Sequence, residues 1–377
     1  MSKITNPFRF GDPVDGDYYL PRAGLTATVR QFIDNRQHIV LIGPRRFGKT
    51  SFVLDLLRTM AAADTTTLFV DIFNITSHRD FLQQVLRAMR QHQKVTARFI
   101  EWVKSIPRLS PKVNIEQDMF NGSPSVSLSA EIADKDVKDA IQDVLTGISH
   151  LGKTVVVVID EFQKISEIED GGWLEATLRT QMQTLKNTAF IFTGSRQSII
   201  QDMMNNQARP FYRSCQTIDF PSFGDEFTDW IIERFRTVGI ACDRKAILSL
   251  RQLVRDTPNY VQMVCFHLVA QGISAVTQEN VAETLKMVTR QNSYAYQTLL
   301  GTLSPLQQRA LRLAAIEGQQ VYSRDTLERY EIASPAALAS SFKALRGKQI
   351  LDEATGRGRV VFDDPLFAHW LREEFGG

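Results

Sequence analysis

Gly43-Pro44-Arg45-Arg46-Phe47-Gly48-Lys49-Thr50 combines two glycines, a lysine and a hydroxyl at the spacing G-x-x-x-x-G-K-[ST]. That spacing suits a polyphosphate. Gly43 and Gly48 let the backbone N–H groups of the loop turn inward, and the helix expected to open at Ser51 adds its positive end. Lys49 can reach the outer phosphates. The Thr50 hydroxyl suits Mg²⁺, a hard cation that prefers oxygen ligands.

A second chemical group closes the apolar run Val155-Val156-Val157-Val158-Ile159, which ends in Asp160-Glu161. Asp160, at the end of a buried strand, is suited to hold the Mg²⁺ water shell, and Glu161 to polarise an attacking water. Two adjacent carboxylates downstream of a phosphate loop argue for hydrolysis rather than binding alone. Thr193 and Ser195, in Phe192-Thr193-Gly194-Ser195-Arg196, stand at another strand end. They read either as groups that orient water or sense the terminal phosphate, or as turn residues that stop the strand. Arg213, in Pro210-Phe211-Tyr212-Arg213, reads either as an arginine finger reaching a second copy of the chain or as a surface arginine paired with a carboxylate.

The elements that must place these residues are legible in the hydrophobic pattern. His38–Ile42, Thr67–Asp71, Thr154–Asp160, Ala189–Thr193 and Gln216–Phe220 read as strands, alternating with helical stretches such as Thr26–Asn35, Ser51–Met60 and Ser77–Arg90. The expectation is an α/β fold, a doubly wound parallel sheet of the P-loop NTPase type, with ligand chemistry at the carboxyl ends of its strands. Residues 1–25 read as a lead-in loop. Within about 107–132, the alternating Lys112–Ile115 and Ser125–Ser129 flank Asn121-Gly122 and predict a β-hairpin insertion. It is either a structural flap or a partner-touching hairpin.

After Pro221 the strands stop. Asp225–Thr237, Arg244–Val254, Asn259–Ala270 and Val281–Gln297 carry helical periodicity, an all-α lid over 223–301 that follows an ATPase-type domain over 1–222. Pro305–Glu317, Arg324–Tyr330 and Pro335–Lys348, then two short strands around Gly356-Arg357-Gly358, predict a winged helix-turn-helix over 302–377. The chain of 377 residues carries a formal net charge of +2. A nucleic-acid coat spread over the whole chain is therefore excluded. Cys215, Cys242 and Cys265 form no CxxC pair, which argues against a zinc site or a secreted disulfide scaffold. With no 18-residue apolar run and no leader-like N-terminus, the expectation is a soluble, cytoplasmic protein with no membrane partner.

With these residues in place, the chain resembles the archaeal-type AAA+-like ATPases related to the STAND signalling and origin-recognition ATPases. The resemblance covers nearly the full length. It is carried by Asn6-Pro7-Phe8, Gly11 and Arg22, the Gly-Pro-Arg-Arg-x-Gly-Lys-Thr loop and Ile159-Asp160-Glu161-Phe162-Gln163. Phe192-Thr193-Gly194-Ser195, Pro210-Phe211-Tyr212, and Asp364-Pro365-Leu366-Phe367 with Trp370 complete it. It implies ATP and Mg²⁺ as ligands, a helical lid, a winged helix and, in many relatives, slow turnover. It also implies that the lead-in near Tyr19 and Arg22 lies beside the adenine. Where the family tends to have Gly-x-Pro facing the nucleotide, this chain has Asp256-Thr257-Pro258, and only Pro258 carries over.

The output partner stays open at this level. Lys343, Arg346 and Lys348 on the presumed recognition helix, with Arg357 and Arg359 on the wing, suit phosphate contacts to DNA. Yet residues 302–377 hold ten basic and ten acidic residues, and winged helices also dock proteins. The phosphate loop itself gives a first expected outcome. Lys49→Ala should weaken ATP binding roughly tenfold to a hundredfold, as expected for losing charge-assisted hydrogen bonds worth about 1.5–3 kcal/mol. Equilibrium titration of the folded variant checks this, and unchanged affinity would refute the site.

Overall fold

A computed structural model describes residues 6–61, 65–91, 133–318, 321–352 and 360–376, together with the backbone of 112–117 and 124–129. The chain divides into two compact units. One, the α/β unit, comprises Pro21–Pro44 and Lys49–Pro221; the other, the C-terminal unit, comprises Met1–Leu20, Arg45–Gly48 and Ser222–Gly377. The segments expected as lid and winged helix both fall within the second unit.

In the α/β unit, α1 (Ala23–Asp34), β1 (Ile39–Ile42), α2 (Lys49–Ala61), β2 (Thr66–Asp71) and α3 (His78–Gln91) come first. The hairpin β3 (Lys112–Gln117) and β4 (Pro124–Ser129) follows, then α4 (Val137–Gly147), β5 (Val155–Asp160), α5 (Gly171–Thr184), β6 (Thr188–Gly194), α6 (Gln197–Asn205) and β7 (Gln216–Asp219). Five of these strands form one parallel sheet in the order β2-β5-β6-β1-β7. The runs that read as fully apolar are buried along their whole length, as strands covered by helices on both faces must be: Ile39–Ile42, Val155–Asp160 and Thr188–Gly194. The edge strand β7 is mostly exposed.

Rings lock the strand ends that matter. Phe162 lies 4.3 Å from Phe192 and 4.9 Å from Phe211, centroid to centroid, and all three side chains are fully buried. The tight turn Phe162–Glu167 that follows Asp160-Glu161 is thereby pinned to β6. The expected hairpin is present as an antiparallel ladder from Lys112 opposite Ser129 to Gln117 opposite Pro124. Asn121-Gly122 lies outside the described residues.

The C-terminal unit runs through α7 (Asp225–Thr237), β8 (Ala241–Cys242), α8 (Arg244–Leu253), α9 (Pro258–Ala270), β9 (Ala275–Val276), α10 (Gln278–Gln291) and α11 (Ser293–Gly301). It continues with α12 (Pro305–Glu317), α13 (Arg324–Arg329), α14 (Pro335–Gly347), β10 (Leu351–Asp352), β11 (Val361–Phe362) and α15 (Pro365–Phe375). These helices fit a lid followed by a winged helix-turn-helix. One hydrophobic core is shared along them and takes in Phe8 of the lead-in, which is fully buried against Phe235 at 4.8 Å.

One expected helix is two. Instead of a single span over Val281–Gln297, the structure breaks at Asn292. The Asn292 side chain donates to the Val288 carbonyl at 2.9 Å, and its N–H closes on Thr289 rather than one residue further back. Satisfying those terminal carbonyls lets α10 stop and α11 start afresh. A Thr277–Asn280 capping box starts α10 earlier than periodicity suggests. Among the described residues no helix is long and apolar enough to cross a membrane.

A buried arginine organises the approach to α9. Arg251 donates to both carboxylate oxygens of Asp256 (2.6 and 2.9 Å), to the Gly224 and Phe223 carbonyls (2.7 and 2.8 Å) and to the Thr228 hydroxyl (2.8 Å). It holds Arg255 and Asp256 in left-handed backbone, φ 53° and 56°, just before the Thr257-Pro258 start of α9. Removing one partner from such a network leaves the others desolvated and unpaired. Arg251→Ala should cost about 3–5 kcal/mol in urea unfolding of the full chain, and Arg251→Lys should restore little of it because the fork is lost. A loss under about 1 kcal/mol would contradict this account.

Candidate functional site

The strand order explains how the separated motifs meet. Strand β6 lies between β1 and β5, so the strand ending in Gly194 is flanked by the one entering the glycine-rich loop and the one ending in Asp160. Thr193 pairs in register with Leu41. Its hydroxyl donates to Asp160 Oδ1, and the Thr50 hydroxyl, from the first turn of α2, donates to Asp160 Oδ2 at 2.7 Å. Three elements far apart in sequence thus converge on one carboxylate.

Asp160 is 4 % exposed. Burial pushes its carboxyl above the ordinary carboxylate range, and the neighbouring Glu161 charge adds to this. The two hydroxyl donors and Lys49 oppose it. The Lys49 ammonium, also buried, donates to the Gly43 and Pro44 carbonyls at 2.7 and 2.8 Å. The glycines of the loop are there for two different reasons. A Cβ on Gly43 would lie 2.7 Å from Cβ of Phe220, and Gly48 sits at φ +89°. At Gly194 a Cβ would push aside the ends of the Ile200 and Gln163 side chains, and Gln163 is a partner of Glu161.

Glu161 stands just outside this centre, in left-handed backbone at φ 59°. Its Oε2 accepts from Ser195 Oγ at 3.0 Å and from Gln163 Nε2. Ser195 and Thr193 are thus divided between the two acids, Thr193 on Asp160 and Ser195 on Glu161. The oxygen pair of Thr50 and Asp160 is a hard donor set that fits a divalent cation shared with phosphate oxygens. A cation there would also offset the cost of keeping Asp160 ionised.

Other expected residues lie elsewhere. Arg213 is exposed, at φ 51°, with its guanidinium 5.2 Å from the Tyr212 ring and its N–H on the Met204 carbonyl; the geometry does not bring it to the acids. Arg22 covers the Phe220 ring at 4.4 Å and donates to the Pro221 carbonyl at 2.6 Å. In the C-terminal unit Tyr19 is buried and Pro258 is the first residue of α9. Ser51 is buried in the first turn of α2. Arg45, Arg46 and Phe47 form the loop tip that the fold counts with the C-terminal unit. Lys343 and Lys348 are exposed, with no carboxylate partner among the described residues, and Arg346 is half-buried. Arg357 and Arg359 lie outside the described residues.

Two participants are hard to find from residue types and spacing. Gln163 is legible only as part of a family motif, and Phe220, whose Cβ makes residue 43 a glycine, carries no signal. The cysteines are free, and burial pushes each thiol upward, so none is activated as a nucleophile.

The fold is that of the P-loop NTPases, with the glycine-rich loop and the two acids at the carboxyl ends of β1 and β5, the strands that flank β6. Residues 30–201 match the AAA domain family. A Walker-type ATPase of Pyrococcus abyssi superposes with a TM-score of 0.64 at 16 % identity, covering 94 % of this chain and 97 % of that one. The Aeropyrum pernix ORC2 protein, solved as ADPNP–ADP complexes, gives 0.55 at 14 % identity over 95 % and 97 %. The ORC1 protein of the same organism, solved in complex with DNA, gives 0.50 at 14 % identity over 95 % and 94 %. Among curated proteins, an uncharacterised ATP-binding protein of Methanocaldococcus jannaschii is 24 % identical over 179 residues, 45 % of this chain and 47 % of that protein. The match thus spans about half the length of that relative.

Burial of Asp160 sets a testable sign. A carboxyl whose folded value is raised destabilises the protein while ionised, and that cost vanishes as pH falls through the raised value. Asp160→Asn keeps one hydroxyl donor on its Oδ1 and can donate to the other hydroxyl if that group turns round, so it should stabilise the nucleotide-free protein at neutral pH. A gain of about 1 kcal/mol would raise the unfolding midpoint by roughly 1–2 °C in a chain this large. If a divalent cation binds here, any gain it gives in nucleotide affinity should be lost in the same variant. Thermal unfolding against pH checks the first part; a variant less stable than wild type at neutral pH would contradict it.

Proposed function

We propose that the protein is an ATP-binding and ATP-hydrolysing switch, in which Mg-ATP governs the arrangement of a helical lid (223–301) and a winged helix (302–377), and through them a partner. The observation that supports this best is the convergence of Thr50 and Thr193 on the buried Asp160, beside a glycine-rich loop closed by Lys49. In this reading the loop amides and Lys49 bind the outer phosphates, and Thr50 and Asp160 hold the Mg²⁺. When bound, that ion neutralises charge on the phosphate oxygens. Glu161 orients a water and takes its proton. Its Oε2 accepts from Gln163 and Ser195, which holds the carboxylate in place and leaves its other oxygen to meet the water.

For the partner, DNA is favoured by the exposed Lys343 and Lys348 on and just beyond α14, which no carboxylate neutralises among the described residues. The solved ORC1 relative bound to DNA lends the same direction. A protein partner is the competing reading, since the net charge of 302–377 is zero. Arg213 remains a proposed finger only in an assembly with a second copy.

One experiment tests the whole. Glu161→Gln should keep Mg-ATP bound and stop turnover, because an amide cannot accept the proton. DNA titrated into this ATP-held variant, and into wild type with ADP, should bind in a salt-dependent way that differs between the two. Adding Lys343→Ala and Arg346→Ala should lower the log–log salt slope by roughly 0.9 for each DNA phosphate that the variant no longer neutralises. Wild-type turnover in Glu161→Gln would remove the base assignment. No DNA binding at low salt in either state would leave a protein as the target.

A further inference from the structure

Arg46, at the tip of the glycine-rich loop, is a non-glycine residue in left-handed backbone, φ 64°. Such a conformation persists only where the surroundings hold it. Its anchors all belong to the C-terminal unit. The guanidinium lies 4.9 Å from the centroid of the Tyr260 ring on α9 and 3.7 Å from Asp364 Oδ2. The Arg46 carbonyl accepts from the Asn259 N–H at 3.4 Å.

Asp364 is itself rigidly placed. Its Oδ1 caps α15 by accepting from the Leu366 N–H at 2.9 Å, and its Oδ2 accepts from the Tyr296 hydroxyl at 3.1 Å. Tyr296 packs on Phe367 and Trp370 at 5.1 and 5.7 Å. The neighbouring Asp363 is attracted by Arg45 and Arg46. A run of two acids between β11 and α15 thus lies near the two arginines of the loop, and Asp364 is the one in ion-pair contact, with Arg46.

We propose that Asp364, with Tyr260 as a second support, is a positioning residue for the phosphate loop: it holds Arg46 in its left-handed conformation and so couples phosphate binding to α9, α11 and α15. The inference rests on the reading of the loop as the nucleotide site and adds the residues through which nucleotide state reaches the C-terminal helices. Coupling of this kind is reciprocal. If Asp364 shapes the loop for a nucleotide, a bound nucleotide must equally stabilise the Asp364 segment. An exposed ion pair and a ring contact are each weak, so the effect expected is modest and readable only by difference.

A double-mutant cycle with MgADP as the probe, followed by calorimetry on the full chain, tests it. Asp364→Asn retains the helix cap but loses the charge, and should weaken MgADP about fivefold, or about 1 kcal/mol. Arg46→Gly adopts the left-handed conformation without an anchor; in that background Asp364→Asn should change affinity less than twofold. Should Arg46→Gly fold poorly, Arg46→Asn tolerates the same backbone and serves instead. Hydrogen exchange gives the reciprocal readout: MgADP should protect the α15 amides in wild type and not in Arg46→Gly. Equal losses from Asp364→Asn in both backgrounds, or no loss in wild type, would overturn the coupling while leaving the nucleotide site standing. Absence of Lys49-dependent MgADP binding in wild type would overturn both.

Discussion

A carboxylate taken almost wholly out of water is costly unless it is met by donors or a cation. Asp160 is held in that state at the end of a strand buried on both faces, and most of the arrangement around it follows from the need to satisfy it. One donor comes from the first turn of the helix behind the glycine-rich loop, the other from the end of the adjacent strand. Both can reach only if β6 lies between β1 and β5 and if its register places Thr193 level with the carboxylate. The aromatic cluster of Phe162, Phe192 and Phe211 fixes that level from within the core.

Part of the left-handed backbone of the chain sits at the same place. Glu161, Arg46 and Gly48 all have positive φ, and all lie in or beside the two motifs. Each is held by what surrounds it. Phe162 anchors the turn after Glu161, Ser195 and Gln163 hold the Glu161 carboxylate, and the C-terminal helices hold Arg46. Strain kept at the chemical groups and offset by rigid packing nearby is the usual arrangement at functional sites. Asn292 and the Asp256-Thr257-Pro258 turn show a related principle away from the site. At Asn292 a side-chain amide takes over a carbonyl that a helix end would otherwise leave unpaired, and at Asp256 the carboxylate fixes the turn through Arg251.

The likeness to the solved Pyrococcus abyssi and Aeropyrum pernix proteins, at 14–16 % identity over nearly the whole chain, fits this picture of few fixed points. What such distant chains can share is the pattern of buried strands and amphipathic helices, since cores accept many apolar residues of suitable volume.

Much was legible in the sequence because it rests on short-range rules. Runs such as Val155–Ile159 declare a strand covered on both faces, glycines at 43 and 48 declare a loop that must turn inward, and a 3.6-residue period declares most of the C-terminal helices. These depend on neighbours in the chain. The break at Asn292 was hidden because periodicity continues across a side-chain cap, and the reason residue 43 must be glycine lies in Phe220, at the end of the neighbouring strand β7. The sharing of Thr193 and Ser195 between two acids depends on register, and the pairing of Arg46 with Asp364 spans most of the chain. The sequence by itself determined which groups could bind and cleave a phosphate. Only the tertiary structure decided which of them touch, because contacts between distant segments are set by strand order and core packing, which no local pattern encodes.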